Sequence, residues 1–201
     1  TNILLPNSYQ ESRDTFRQSL DPVRRLWPAA RHSHHRISGD QDLTMDWLES
    51  PALDRQDKLL LFTTGKHGIA GYVGSAMLQL FVQEFVPQLD PASTGLLLIH
   101  AINPWRIKHR RRTNAANVDL NRNFCWNPKD LDKSINPDYT RIDPCLNPAG
   151  PVRSLPLTAL SFALNLLWQN LTLGAARFRP AALLGQYRYP QGLDGWQSLQ
   201  E

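Results

Sequence analysis

The sequence predicts an α/β protein, and three stretches carry that prediction. Residues 58–64 (K-L-L-L-F-T-T) form a continuous apolar run that stops at Gly65, the pattern of a strand buried on both faces. Residues 72–86 then place Val73, Met77, Leu80, Phe81 and Phe85 at helical spacing, with Pro87 closing the helix. Residues 95–102 (G-L-L-L-I-H-A-I) form a second buried strand, ended by Asn103-Pro104. Strand, helix and strand in this order make a βαβ unit, whose crossover is right-handed.

The other elements are read around that unit. Residues 8–20 predict a first helix: Ser8 caps it, Glu11 completes a capping box, and Tyr9, Phe16 and Leu20 share a face. Pro22 and Pro28 then break the chain. Residues 31–39 hold His32, His34 and His35 in a basic, polar stretch with no carboxylate or cysteine at ligand spacing, so a solvated strand or turn is expected. Residues 42–50 alternate Leu43, Met45 and Trp47, as an edge strand does. Residues 118–124 read as a short strand entering a loop, and the proline-rich 127–150 as a long irregular excursion, which in compact domains is functional or mobile. Residues 155–173 predict an amphipathic helix with a core stripe of Leu160, Leu164, Leu167 and Leu171. The tail, 185–201, reads as loop without a closing element.

Composition narrows the classes. With 201 residues, 41% of them hydrophobic, and six tryptophans, the chain can build the core of one sizeable domain or of most of a larger one, which excludes wholesale disorder. No apolar run reaches the roughly 18 residues of a membrane span. The first ten residues lack a signal-peptide pattern and an initiator methionine, from which a processed, trimmed or incomplete chain is expected. Cys125 and Cys145 form neither a disulfide framework nor a zinc knuckle and read as reduced thiols of a cytoplasmic protein. The net charge of +4 is concentrated in residues 106–112 (R-I-K-H-R-R-R). Such a run can touch nucleic-acid phosphates, but Trp105 is the sole aromatic residue interleaved with it.

Two segments can carry chemistry, each just past an inferred strand, where open α/β sheets place their ligand sites. In Gly65-Lys66-His67-Gly68 the histidine sits on a tight loop at the mouth of a helix, suited to a metal ligand or a base; no upstream glycine completes a phosphate loop. In Asp119-Leu120-Asn121-Arg122-Asn123-Phe124 the planar guanidinium fork and the neighbouring amide suit a carboxylate.

The motifs G-K-H-G-I-A-G-Y-V-G-S-A, H-A-I-N-P and N-V-D-L-N-R-N-F, with S-Y-Q-E-S-R-D-T-F and D-L-T-M-D before them and G-Q-Y-R-Y-P-Q-G-L near the end, span most of the chain. Together they resemble a bacterial zinc-carboxypeptidase-like family of unknown function, related to carboxypeptidase A and to aspartoacylase. The resemblance implies one zinc-carboxypeptidase-like domain with a mixed sheet flanked by helices. Residues 1–201 would be its N-terminal and central part, incomplete at the C-terminus. It implies zinc as cofactor, His67 as first metal ligand, Asp119 as the carboxylate orienting that histidine, and Asn121 and Arg122 as the grip on a substrate carboxylate. Arg112 would polarise the scissile carbonyl. The position of the ligand glutamate, however, is Ala70, and the family's second histidine and proton-shuttling glutamate lie past the last resembling segment. His100, within H-A-I-N-P, reads as a structural residue at a strand end.

The resemblance therefore implies a hydrolase of peptide or acyl-amino-acid amide bonds, impaired or inactive in this chain, acting on a small peptide or acyl-amino-acid carboxylate in the cytoplasm. The alternatives are a non-catalytic carboxylate-binding protein that keeps Arg112, Asn121 and Arg122, and a basic nucleic-acid-associated protein. No membrane partner is expected.

Overall fold

The structure, a computed structural model, describes residues 4–37, 42–115, 118–122, 136–146 and 154–184. It divides into two compact units, Thr1–Ala115 and Ala116–Glu201. The first is a mixed α/β unit on a four-stranded open sheet.

Its first helix, α1 (Tyr9–Gln18), starts as the capping-box spacing demands. Ser8 Oγ accepts the Glu11 amide at 3.1 Å, and the Glu11 carboxylate takes the Asn7 amide at 2.8 Å. A short α2 (Leu20–Arg24) follows, and then strands β1 (Arg31–Arg36), β2 (Thr44–Ser50), β3 (Lys58–Thr63) and β4 (Thr94–His100). Between β3 and β4 lies α3 (Gly68–Leu80), continued by a π turn at Phe81–Phe85 and a 3-10 turn at Val86–Gln88. The sheet order is β1-β2-β4-β3, with β3 parallel to β4 and the other pairs antiparallel. The last element is α4 (Pro104–His109).

The predicted βαβ unit is present, but three of its neighbours or limits differ from expectation. The helix begins at Gly68, not at residue 72, because Gly68 and Gly71 are packing positions inside it rather than turn residues. The 42–50 segment is an interior strand, paired on both sides; its alternation reflects the two unlike faces of the sheet, not an edge. β3, expected to be fully buried, forms one edge. Register puts Leu60 and Phe62 on the side of Leu96, Leu98 and Leu48, where Phe16, Val23, Trp27, Leu78, Val82 and Val86 complete the core. Leu59 and Leu61 alternate to the opposite side and are more than half exposed, because the core helices of this unit cover the other side. By length and composition alone, the continuous helical stretch Gly68–Gln88 is apolar enough to cross a membrane. Here its residues Leu78, Val82 and Val86 pack in the core.

Among the described residues the second unit is helical: α5 (Tyr139–Leu146), α6 (Leu155–Leu173) and α7 (Ala175–Leu183). Residues 118–122, expected as a strand, form a turn. Part of the segment expected to be irregular is α5, which accommodates Pro144 near its end; positions 127–135 and 147–150 lie outside the described residues, as do 123–124 and the tail 185–201. α6 matches its predicted limits, but the leucine stripe is not core. Leu160, Leu164, Leu167 and Leu171 are exposed, whereas the cluster of Ile142, Phe178 and Ala181 takes Leu166 and Leu173 from this helix. Cys145 is a free, buried thiol; Cys125 lies outside the described residues.

Candidate functional site

The loop after β3 is shaped by two close approaches. Gly65 has φ +75°, and a Cβ there would lie 2.7 Å from Ala101 Cα, so only glycine fits both the turn and the space. A Cβ on Gly68 would meet the carbonyl oxygens of Arg106 and Arg111 at 2.4 Å. The chain after β4 is thereby laid directly against this loop. Backbone bonds lock the contact: Asn103 N donates to Gly65 O at 3.0 Å, and Gly68 N to Arg111 O at 3.0 Å.

His67 is the N-cap residue of α3, with extended backbone (φ −122°, ψ 148°), and its carbonyl accepts the Gly71 amide at 2.8 Å. Ala70 is thus the third residue of the helix and is exposed. N-cap and third positions face each other at a helix start, as the capping box illustrates. Residue 70, the position of the ligand glutamate in the resembling family, is here a methyl group at the third position of the helix that His67 caps.

Beside His67 stands Arg106, the first residue of the basic run 106–112, and it is completely buried. Asn103 caps α4 by accepting the Arg106 amide at 3.1 Å, which aims the first turn of α4 at the loop. The Arg106 guanidinium then donates through Nη1 to Lys66 O at 2.5 Å and reaches His67 Nδ1 at 3.3 Å. The sequence signal was Asn-Pro as a helix start, which fixes Arg106 within the first turn instead of on a solvated run. Arg110, Arg111 and Arg112 are exposed.

A separate polar network runs beneath the sheet end. His100 is completely buried, stacks on Phe16 at 5.2 Å, and its Nε2 lies 2.6 Å from Ser12 Oγ. Ser12 donates onward to Ser75 at 2.9 Å. Burial pushes the His100 pKa down to about 4; nearby Asp46 opposes that shift, while Arg13 and Arg17 reinforce it. Such a neutral, enclosed imidazole is a structural residue.

In the second unit the structure brings Asp119, Asn121 and Arg122 into one turn. Asp119 Oδ1 accepts the Asn121 amide at 3.1 Å, its carbonyl accepts the Arg122 amide at 3.0 Å, and Arg122 Nε stands 3.5 Å from Asp119 Oδ2. Arg122 Nη1 donates to Ala182 O, at the end of α7, at 2.6 Å. Here Asp119 shapes the turn, and Arg122 ties it to α7. His67 and Arg112 belong to the first unit.

Catalytic zinc takes three protein ligands. Among the described residues no three His, Cys, Asp or Glu side chains converge. At the loop itself the ligand-spaced position is Ala70, and Nδ1 of His67 already faces a guanidinium. The described residues do not by themselves fit a catalytic zinc.

A family model described as "Protein of unknown function (DUF2817)" matches residues 6–195. No curated protein and no solved structure matches the chain.

Proposed function

We propose a function on one premise: this chain belongs to the DUF2817 family of proteins of unknown function. On our reading it has the zinc-carboxypeptidase-like fold that its motifs resemble. Its ancestry is that of a hydrolase of peptide or acyl-amino-acid amide bonds, and hydrolysis is impaired or absent in this chain. The observation that supports this is the start of α3: His67 stands at the N-cap, and the third helical position after it is Ala70. Without a metal there, no bound water is activated for attack on a carbonyl, and Arg112 has no hydrolytic step to assist. A cytoplasmic location belongs to the same reading.

The test is hydrolysis of N-acyl-amino acids and short peptides by the purified chain, with and without added zinc. Release no faster than the buffer background is expected. Zinc-dependent, chelator-sensitive release would overturn the reading.

A second reading, a carboxylate-binding protein, is favoured by the Arg106–His67 contact, which sets a fixed positive charge beside the histidine. Small carboxylates would then raise the melting temperature, and His67→Ala would remove the shift; no shift with any of them counts against it.

A further inference from the structure

We propose that Arg106 is the fixed cation of the His67 loop: it holds His67 as the neutral Nε2–H tautomer and occupies the side of the ring that a metal on Nδ1 would need. A guanidinium carries hydrogen on every nitrogen and accepts nothing. Its Nη1 lies 3.3 Å from His67 Nδ1, so Nδ1 presents its lone pair there, and the one ring hydrogen sits on Nε2. A proton on Nδ1 would face an N–H across that distance and break the contact.

The placement of Arg106 is over-determined. The side chain is fully buried, its backbone amide is tied to Asn103 Oδ1, its carbonyl accepts the Arg111 amide at 3.0 Å, and the same Nη1 holds Lys66 O at 2.5 Å. Gly68 lets the backbone of residues 106 and 111 approach within a distance that excludes any Cβ. Loop and arginine are thus built against each other, and the guanidinium cannot swing away without losing the Lys66 bond. A cation bringing its own positive charge to Nδ1 would have to displace a charge that is already there.

This assigns His67 a chemistry. Through Nε2–H it can only donate, so its chemistry suits an oxygen acceptor, a carboxylate or a carbonyl, and not a divalent cation. Arg106 acts through His67 and is a positioning residue. The assignment holds whether or not the fold is carboxypeptidase-like, since that reading fails on hydrolysis and this one on the state of a ring nitrogen.

The experiment is long-range proton–nitrogen correlation NMR of the full chain labelled at histidine, with His67→Gln used to identify the resonances. The expected result at neutral pH is the Nε2–H tautomer for His67, with no displacement of its signals by one equivalent of zinc. Arg106→Met should release the tautomer preference; Arg106→Lys, which keeps a donor at lower reach, should retain part of it. A predominant Nδ1–H form in the unsubstituted chain, or stoichiometric zinc shifting the His67 nitrogens, would overturn it. Both readouts are made on the unsubstituted chain, so a variant that fails to fold does not blunt them.

Discussion

The Asp46 carboxylate on β2 accepts the Nε hydrogen of Arg17 on α1 at 2.7 Å, and it does so with no solvent exposure of its own. His32 Nε2 lies 2.7 Å from the same oxygen, and Thr44 donates to the other at 2.5 Å. One carboxylate therefore joins the first helix to two neighbouring strands of the sheet. Burial pushes its pKa up, yet the donors from Arg17, Thr44 and His32 outweigh this and hold it below the usual 3.8.

Asp46→Asn should destabilise the chain by about 2–3 kcal/mol, because it leaves Arg17 without its charged acceptor and puts an amide among donors. The sign with pH follows from a folded pKa below the unfolded one. The stabilisation is present above pH 3.8 and is lost as pH falls below that value. Urea melts of both chains from neutral to acid pH check this: the gap between them should narrow only at the acid end.

His100 titrates in the opposite chemical sense with the same direction of loss. Its folded pKa, about 4, is below the ordinary 6.5, so the unfolded chain binds more protons between those values. Stability should fall by about 3 kcal/mol as pH drops from 6.5 to 4 through this group alone. His100→Gln, which can still donate to Ser12, should flatten that part of the profile; an unchanged slope would show that the imidazole is not neutral in the fold.

Ala70→Glu places a carboxylate at the third position of α3, whose first turn has no acidic residue. The helix dipole should stabilise the variant by roughly 0.3–1 kcal/mol at low salt. Zinc affinity should not rise, because Arg106 still stands against Nδ1 of His67, and amide hydrolysis stays absent. Melting curves and zinc calorimetry on the same preparation check both outcomes.

Arg122→Ala removes the link from the 118–122 turn to the end of α7, including the Ala182 carbonyl bond at 2.6 Å. A loss of about 1.5–3 kcal/mol is expected for a charged hydrogen bond of this kind. Arg122→Lys should recover little, since one ammonium does not reproduce the fork that meets both Asp119 and Ala182. Hydrogen exchange should report the loss at residues 175–184 before it appears in the first unit.

The βαβ unit was legible because two uninterrupted apolar runs flank a helix pattern, and local sequence records what each strand can bury. It does not record the order of strands. Leu59 and Leu61 make β3 look doubly buried, yet their side of the sheet lacks core helices in this unit; Met45 and Trp47 make β2 look like an edge, yet it pairs on both sides. The leucines of α6 misled in the same way, since an apolar stripe shows which face seeks cover and not whether this unit covers it. In the candidate site, His67 stood out by its glycine turn, and the resemblance drew attention to Ala70 as a departure from its motif. Arg106 did not stand out, because its role comes from a backbone approach at Gly68 between segments about 40 residues apart, which no local pattern encodes.

The central proposal is that His67 does not anchor a hydrolytic metal. The most direct measurement is the zinc content of the purified chain after incubation with excess zinc and removal of the unbound ion. Well under one zinc per chain is the expected result. One tightly held zinc per chain, lost on His67→Ala, would contradict the account.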